Sequence, residues 1–118
     1  MATGEYNIVF RKGGAWTRTF TWERPKGTPV SLTGAEADLQ IRENVDDTTA
    51  LVSLSESSGI TLGGAAGTII VTLTSTQTNL DIENGVYDLR IKESGGDWDY
   101  LLSGSVKVIK TVTRDPEV

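Results

Sequence analysis

The 118-residue chain contains no histidine and no cysteine, one methionine and three prolines. Without cysteine there is neither a disulfide scaffold nor thiol chemistry, although the redox compartment stays open, because a cysteine-free chain tolerates either. Without histidine as well, the usual zinc ligands are missing. Acid–base work would then fall to carboxylates, and a Ser or Thr nucleophile would need a lysine partner. No apolar run approaches the roughly 20 residues that span a bilayer. The first ten residues lack the cationic and apolar regions of a secretory signal. These absences lead to the expectation of a non-enzymatic protein with no cofactor and no membrane partner.

Positive charge is also scarce. The net charge is -5, which argues against nucleic acid as a partner, because phosphate binding draws its affinity from a basic surface. The two signs are unevenly distributed. Residues 1–42 hold six Lys/Arg against four Asp/Glu, and residues 43–118 hold five against twelve. Such a split suits contacts between copies or with neighbours of opposite sign; it is equally compatible with a fold that mixes both halves over its surface.

What is abundant is β-branched. Sixteen threonines and ten valines favour strands, where branched side chains pack well and lose less rotamer freedom than in helices. The length fits one domain, residues 1–118, large enough to bury about two thirds of its unfolded surface, with loose ends at 1–4 and 115–118. Turn signals recur at Gly13-Gly14, Pro25 with Gly27 and Pro29, Gly34, Asp46-Asp47, Gly59, Gly63-Gly64, Gly67, Asn84-Gly85, Gly95-Gly96 and Gly104. Between them the pattern predicts strands at 6–10, 15–22, 35–42, 51–54, 68–74, 86–92 and 98–108. Asp115-Pro116 is expected to close the last strand. The fold class is all-β, an antiparallel sandwich of about seven to eight strands.

Strict alternation separates two faces. In 35–42 the outward set is Glu36, Asp38, Gln40 and Arg42; in 86–92 it includes Asp88, Arg90 and Lys92. The inward rows supply the expected core: Phe20, Trp22, Leu32, Leu39, Ile41, Val71, Leu73, Tyr87, Leu89 and Ile91. Thr17, Thr19 and Thr21 form an outward ladder opposite Phe20 and Trp22. One short helical turn, near residues 75–80, begins with a capping residue and is expected to cross between the sheets.

The run Glu83-Asn84-Gly85-Val86-Tyr87-Asp88-Leu89 supports two readings. It matches a tyrosine corner of an immunoglobulin-like sandwich, the phenol bonding back to nearby backbone and Leu89 standing where antibody domains carry cysteine. It also matches an Asn-Gly hairpin turn before a strand.

Carboxylates occur in pairs at Asp46-Asp47, Asp81 with Glu83, and Asp97 with Asp99, all in or beside turns, where acidic residues are usually solvated turn formers. Calcium could use the Asp97/Asp99 or Asp81/Glu83 loops, although no spacing matches an EF-hand. Trp98, between two aspartates and near Tyr100, has the composition of a surface glycan contact, and equally of a protein interface. The expected docking surfaces are a basic one, Arg11, Lys12 and Arg18, and an acidic one, Asp97, Trp98 and Asp99.

A series of motifs follows in order. They are Phe20-Thr21-Trp22; Gly27-Thr28-Pro29-Val30-Ser31-Leu32-Thr33-Gly34; the alternating strand ending Ile41-Arg42; Gly59-Ile60-Thr61-Leu62; Gly67 to Thr74; Thr78; Gly85-Val86-Tyr87-Asp88-Leu89; and Leu101-Leu102-Ser103-Gly104-Ser105-Val106-Lys107-Val108. Together they resemble small structural proteins of tailed bacteriophages, in particular the N-terminal immunoglobulin-like domain of phage upper-baseplate proteins. The resemblance runs from about Phe20 to Thr113. It implies an immunoglobulin-like sandwich and a virion component made in the bacterial host cytoplasm, at the neck, tail, baseplate or fibre attachment. Its partners would be other virion proteins and further copies of itself. Baseplate relatives carry additional domains after this one, so the expectation is an adaptor, with a head decoration protein or a carbohydrate-binding module as alternatives.

Overall fold

The computed structural model describes residues 4–24 and 28–112. Its regular elements are the strands β1 (Gly4–Glu5), β2 (Ile8–Arg11), β3 (Trp16–Thr21), β4 (Glu23–Arg24), β5 (Thr28–Pro29), β6 (Glu36–Arg42), β7 (Val52–Ser55), β8 (Ile60–Leu62), β9 (Thr68–Leu73), β10 (Asn84–Lys92) and β11 (Trp98–Ile109), with one 3-10 turn at Gly64–Ala66. All seven expected strands are present. The short β8 and the β4–β5 pair are additional, Pro29 lying in β5 and not in the expected turn, and Gly4, expected in a loose end, starts a strand. The rest of the expected loose ends, the turn at 25–27 and Asp115-Pro116 lie outside the described residues.

The larger sheet runs β1–β11–β10–β6–β7, with β2 also on β11; the smaller runs β3–β9–β8; β4 and β5 pair with each other. Strands β3, β9 and β8 thus occupy the places of B, E and D of an immunoglobulin domain, and β6, β10 and β11 those of C, F and G, with β7 added beside C. The fold is an immunoglobulin-like sandwich. One departure from the expected antiparallel scheme is that β1 and β2 run parallel to β11. Alternation fixes which face of a strand is buried but carries no information about the direction of its neighbour.

Between the sheets lie Trp22, Leu32, Leu39, Ile41, Val71, Leu73, Tyr87, Leu89 and Ile91, all buried, joined by Ile8, Phe10 and Val106 among others. Each fully buried aliphatic side chain contributes about 1.5–3 kcal/mol relative to exposure. Phe20 departs from expectation and is only half-buried. It lies on β3, which among the described residues pairs with β9 on one side alone, so the inner row Trp16, Arg18, Phe20 runs along the open rim. There Phe20 meets the ring of Tyr6 edge-on, at 5.1 Å and 83°.

The Leu-Thr-Gly turn before β6 is closed by the N–H of Ala35 donating to the carbonyl of Leu32 at 3.0 Å, with Gly34 at φ 74°, which an L side chain adopts only with strain. The crossing from β9 to β10 uses a single helical turn. Thr78 N–H donates to Thr74 carbonyl at 3.0 Å, and Thr74 and Gln77 form a reciprocal capping box, with side chain to backbone distances of 2.9 and 3.2 Å. The cap is Thr74, one residue earlier than expected, and no helix continues beyond the turn. Thr78 is fully buried; its hydroxyl donates to the Gly14 carbonyl at 2.8 Å, with the Ser75 carbonyl at 3.2 Å. This ties the β2–β3 turn to the crossing.

Neither reading of Glu83 to Leu89 survives intact. Asn84 and Gly85 belong to β10, paired with Lys107 and Val106, so there is no hairpin turn. The Tyr87 hydroxyl donates to the carbonyl of Tyr6 at 2.6 Å, a bond to the first part of the chain rather than a local corner. At that point β1 and β2 are one strand interrupted by Tyr6 and Asn7, since the pairings Glu5↔Ser103 and Ile8↔Val106 keep the same offset. The Asn7 side-chain oxygen accepts from the Ser105 N–H at 3.1 Å. A Cβ on Gly104 would lie 2.4 Å from the Tyr6 carbonyl, so this crossing requires glycine.

Candidate interaction surfaces

The outer face of the large sheet is built by the outward rows of β6 and β10, as their alternation predicts. Across them lies β11, whose register shifts where Leu89 faces Leu102 but Arg90 faces Tyr100. The extra residue, Leu101, is buried. This bulge turns Tyr100 and Trp98 outward, onto the face of Arg90 and Lys92. Arg90 is fixed from two sides. Its Nε and Nη2 donate to Asp38 Oδ2 at 3.1 and 2.8 Å, and its guanidinium lies 4.0 Å from the centroid of the Trp98 ring. The hydrogen bonds to Asp38 raise its pKa further, against the opposing effect of burial.

Two adjoining hollows mark this face. One, of about 170 Å³, is lined by Asp38, Gln40, Asp88, Arg90 and Tyr100. The other, of about 340 Å³, is lined by residues that include Arg42, Val45, Val86 and Ser103. Arg90 covers one face of the Trp98 ring, so a sugar ring could stack on that face only if the guanidinium moved.

The expected docking residues fall on opposite ends of β11. Arg11 pairs with Ile109 at one end, and Trp98 begins the strand at the other, roughly 36 Å away at 3.3 Å per residue, in a body 47 × 27 × 24 Å. Arg11 is exposed. Lys12 is committed to Asp81 at 2.7 Å; that hydrogen bond, then the lysine charge, holds the Asp81 carboxyl below its ordinary value. Glu83 lies 3.9 Å from Lys110. Arg18 does not join this end: it projects from the rim of the small sheet, its guanidinium 5.3 Å from the centre of the Tyr6 ring. At the far end Asp97 is exposed, and Asp99 is half-buried beside Trp98.

The carboxylate pairs behave as turn and surface groups. Asp47 Oδ2 accepts from the Asn44 N–H at 3.0 Å, and Asp81 and Glu83 face lysines. Among the described residues no group of three or more His, Cys, Asp or Glu side chains is arranged to hold a metal ion, and no helix is long and apolar enough to cross a membrane. Sequence reasoning missed the Arg90–Asp38–Trp98 stack; the outward positions of Arg90 and Asp38 were legible, but the bulge that brings Trp98 to them was not.

No family model matches the chain, and no curated protein matches its sequence. Among solved structures, one similar chain is Drosophila OTK, extracellular domains 3-5, at 16% identity and a TM-score of 0.39. The alignment covers 96% of this chain and 34% of that one, so this chain spans about a third of that structure's length.

Proposed function

We propose that the chain is a non-enzymatic structural protein of a tailed-bacteriophage virion, at the neck, tail, baseplate or fibre attachment, that works by docking between neighbouring subunits. The ordered motifs from Phe20 to Val108 support the virion assignment by resemblance. The observation that carries the docking reading is the polarity of the elongated body: Arg11 is exposed at one end of β11, beside Lys12 and Lys110, which Asp81 and Glu83 face, and Glu93, Asp97 and Asp99 lie at the other end. In a symmetric particle one weak patch is multiplied by copy number through effective concentration.

The test is incorporation. The tagged chain, expressed in cells producing the phage that encodes it, is expected to sediment with purified particles. Arg11→Glu, which leaves the Lys12–Asp81 pair in place, is expected to reduce that fraction severalfold. A chain that stays wholly in the soluble fraction sinks the assignment.

A further inference from the structure

We propose that two copies of this chain pair through the free edges of β3, antiparallel, about a two-fold axis at Thr19. Among the described residues no strand occupies the other side of β3. The direction of its backbone groups follows from the ladders. Thr72 N–H donates to Gly59 and Gly63 N–H to Thr68, so the even residues of β9 bond toward β8 and the odd ones toward β3. Ile69, Val71 and Leu73 face Phe20, Arg18 and Trp16, and Trp22 N–H continues the series to Gly67. The N–H and C=O groups of Thr17, Thr19 and Thr21 therefore point away from β9, along an open edge.

That edge lacks most of the devices that usually guard one, the inner-row charge of Arg18 being the exception. β3 contains no proline, no lysine and no bulge. Its only charge, Arg18, lies over Tyr6. The three threonine side chains are exposed.

Self-complementarity identifies the occupant and the register. A two-fold perpendicular to the sheet keeps the inner faces on one side, so the axis must pass through a residue. With the axis at Thr19, Thr19 faces its own copy and Thr17 faces Thr21, so every outward backbone group of the three threonines is used. Arg18 then opposes an aromatic ring, Phe20 of the second copy. An axis at Arg18 sets two guanidinium groups directly opposite each other, which is destabilising, and leaves Thr21 facing Ala15, outside the strand. An axis at Phe20 leaves Thr17 facing Glu23, which is already paired in β4. The Thr19 register joins two small sheets into one continuous sheet.

The inference is independent of any place in a virion. Because the chain has no cysteine, Thr19→Cys introduces a single thiol. Facing Cα atoms about 5.5 Å apart lie within disulfide reach, whereas Thr17 and its copy would lie roughly 14 Å apart. Mild oxidation is expected to convert Thr19→Cys to a covalent dimer at least tenfold more completely than Thr17→Cys. Sedimentation equilibrium of the unmodified chain is expected to show a dimer that Thr19→Lys abolishes, with its circular dichroism unchanged. A chain that remains monomeric at millimolar concentration overturns the proposal, as does equal oxidation of the two cysteine variants or a dimer that Thr19→Lys leaves intact. Particle incorporation of a monomeric chain would show that docking to other subunits holds and that pairing through β3 does not.

Discussion

The phenolic hydroxyl of Tyr87 donates to the carbonyl of Tyr6 at 2.6 Å, linking residues 81 positions apart. Tyr87 is buried, and this bond fixes the break between β1 and β2 against the centre of the large sheet. Tyr87→Phe keeps the ring and removes the donor, leaving the Tyr6 carbonyl without that partner. The expected cost at pH 7 is about 1–2 kcal/mol, read by urea denaturation.

The same residue sets an alkaline limit. Burial, with a smaller contribution from Tyr6, pushes the Tyr87 phenol above its ordinary value of 10.0. A raised pKa in the folded state means the stabilising contribution is complete below pH 10 and is lost as pH rises from there toward the folded value. The expected outcome is a fall in stability above about pH 10 that is smaller in Tyr87→Phe. Identical pH profiles for the two proteins would contradict this.

Thr78 is the buried polar staple of the crossing. Thr78→Val preserves shape and deprives the Gly14 carbonyl of its donor. A loss of about 1–3 kcal/mol is expected, with hydrogen exchange accelerated at the β2–β3 turn as well as around Thr78. Exchange changes confined to the crossing would show that the tie to Gly14 carries little.

Gly104→Ala sets a methyl carbon 2.4 Å from the Tyr6 carbonyl and 2.9 Å from Asn7 Oδ1. Both are held by other bonds, so relief requires β1 and β2 to move off β11. Destabilisation of about 1–3 kcal/mol is expected, together with a shifted near-ultraviolet signal from Tyr6 and Tyr87.

The Lys12–Asp81 pair contrasts with these sites. Asp81 is almost fully exposed and its carboxyl is held below 3.8, so whatever the pair contributes is present above about pH 4 and lost as pH falls below it. Solvent and salt screen such contacts. Asp81→Asn is expected to leave the thermal midpoint at pH 7 unchanged within error in about 1 M salt. A large shift there would mean that Asp81 has a structural role beyond its ion pair.

Much of the sandwich was legible because alternation in β6 and β10 encodes burial directly: Leu39, Ile41, Leu89 and Ile91 all reach the core. Phe20 shows the limit of that reasoning, since alternation gives the face of a residue and says nothing about whether its strand sits at a rim. Asn84-Gly85 reads as a turn by composition. It is strand because Lys107 and Val106 lie opposite, and a Cβ on Gly85 would meet the Arg42 carbonyl at 2.8 Å. The three-residue β8 is too short to show a period. At the candidate surfaces, the charged outer row was readable, but the stacking of Arg90 on Trp98 depends on one bulged residue in β11, and the ends to which Arg11 and Asp97 are carried depend on pairing partners that no local pattern specifies.

The parallel pairing of β2 with β11 also governs timing. The segment around Ile8 must wait for Val106, on the far side of nearly the whole chain, before its backbone groups find their partners. Ile8 and Phe10 are synthesised well before the strand that shelters them, so closure of this side of the sheet is expected to be slow, as for other long-range β topologies. Both ends of the proposed docking axis lie on β11, so under that proposal the two surfaces are complete only once this strand is in place.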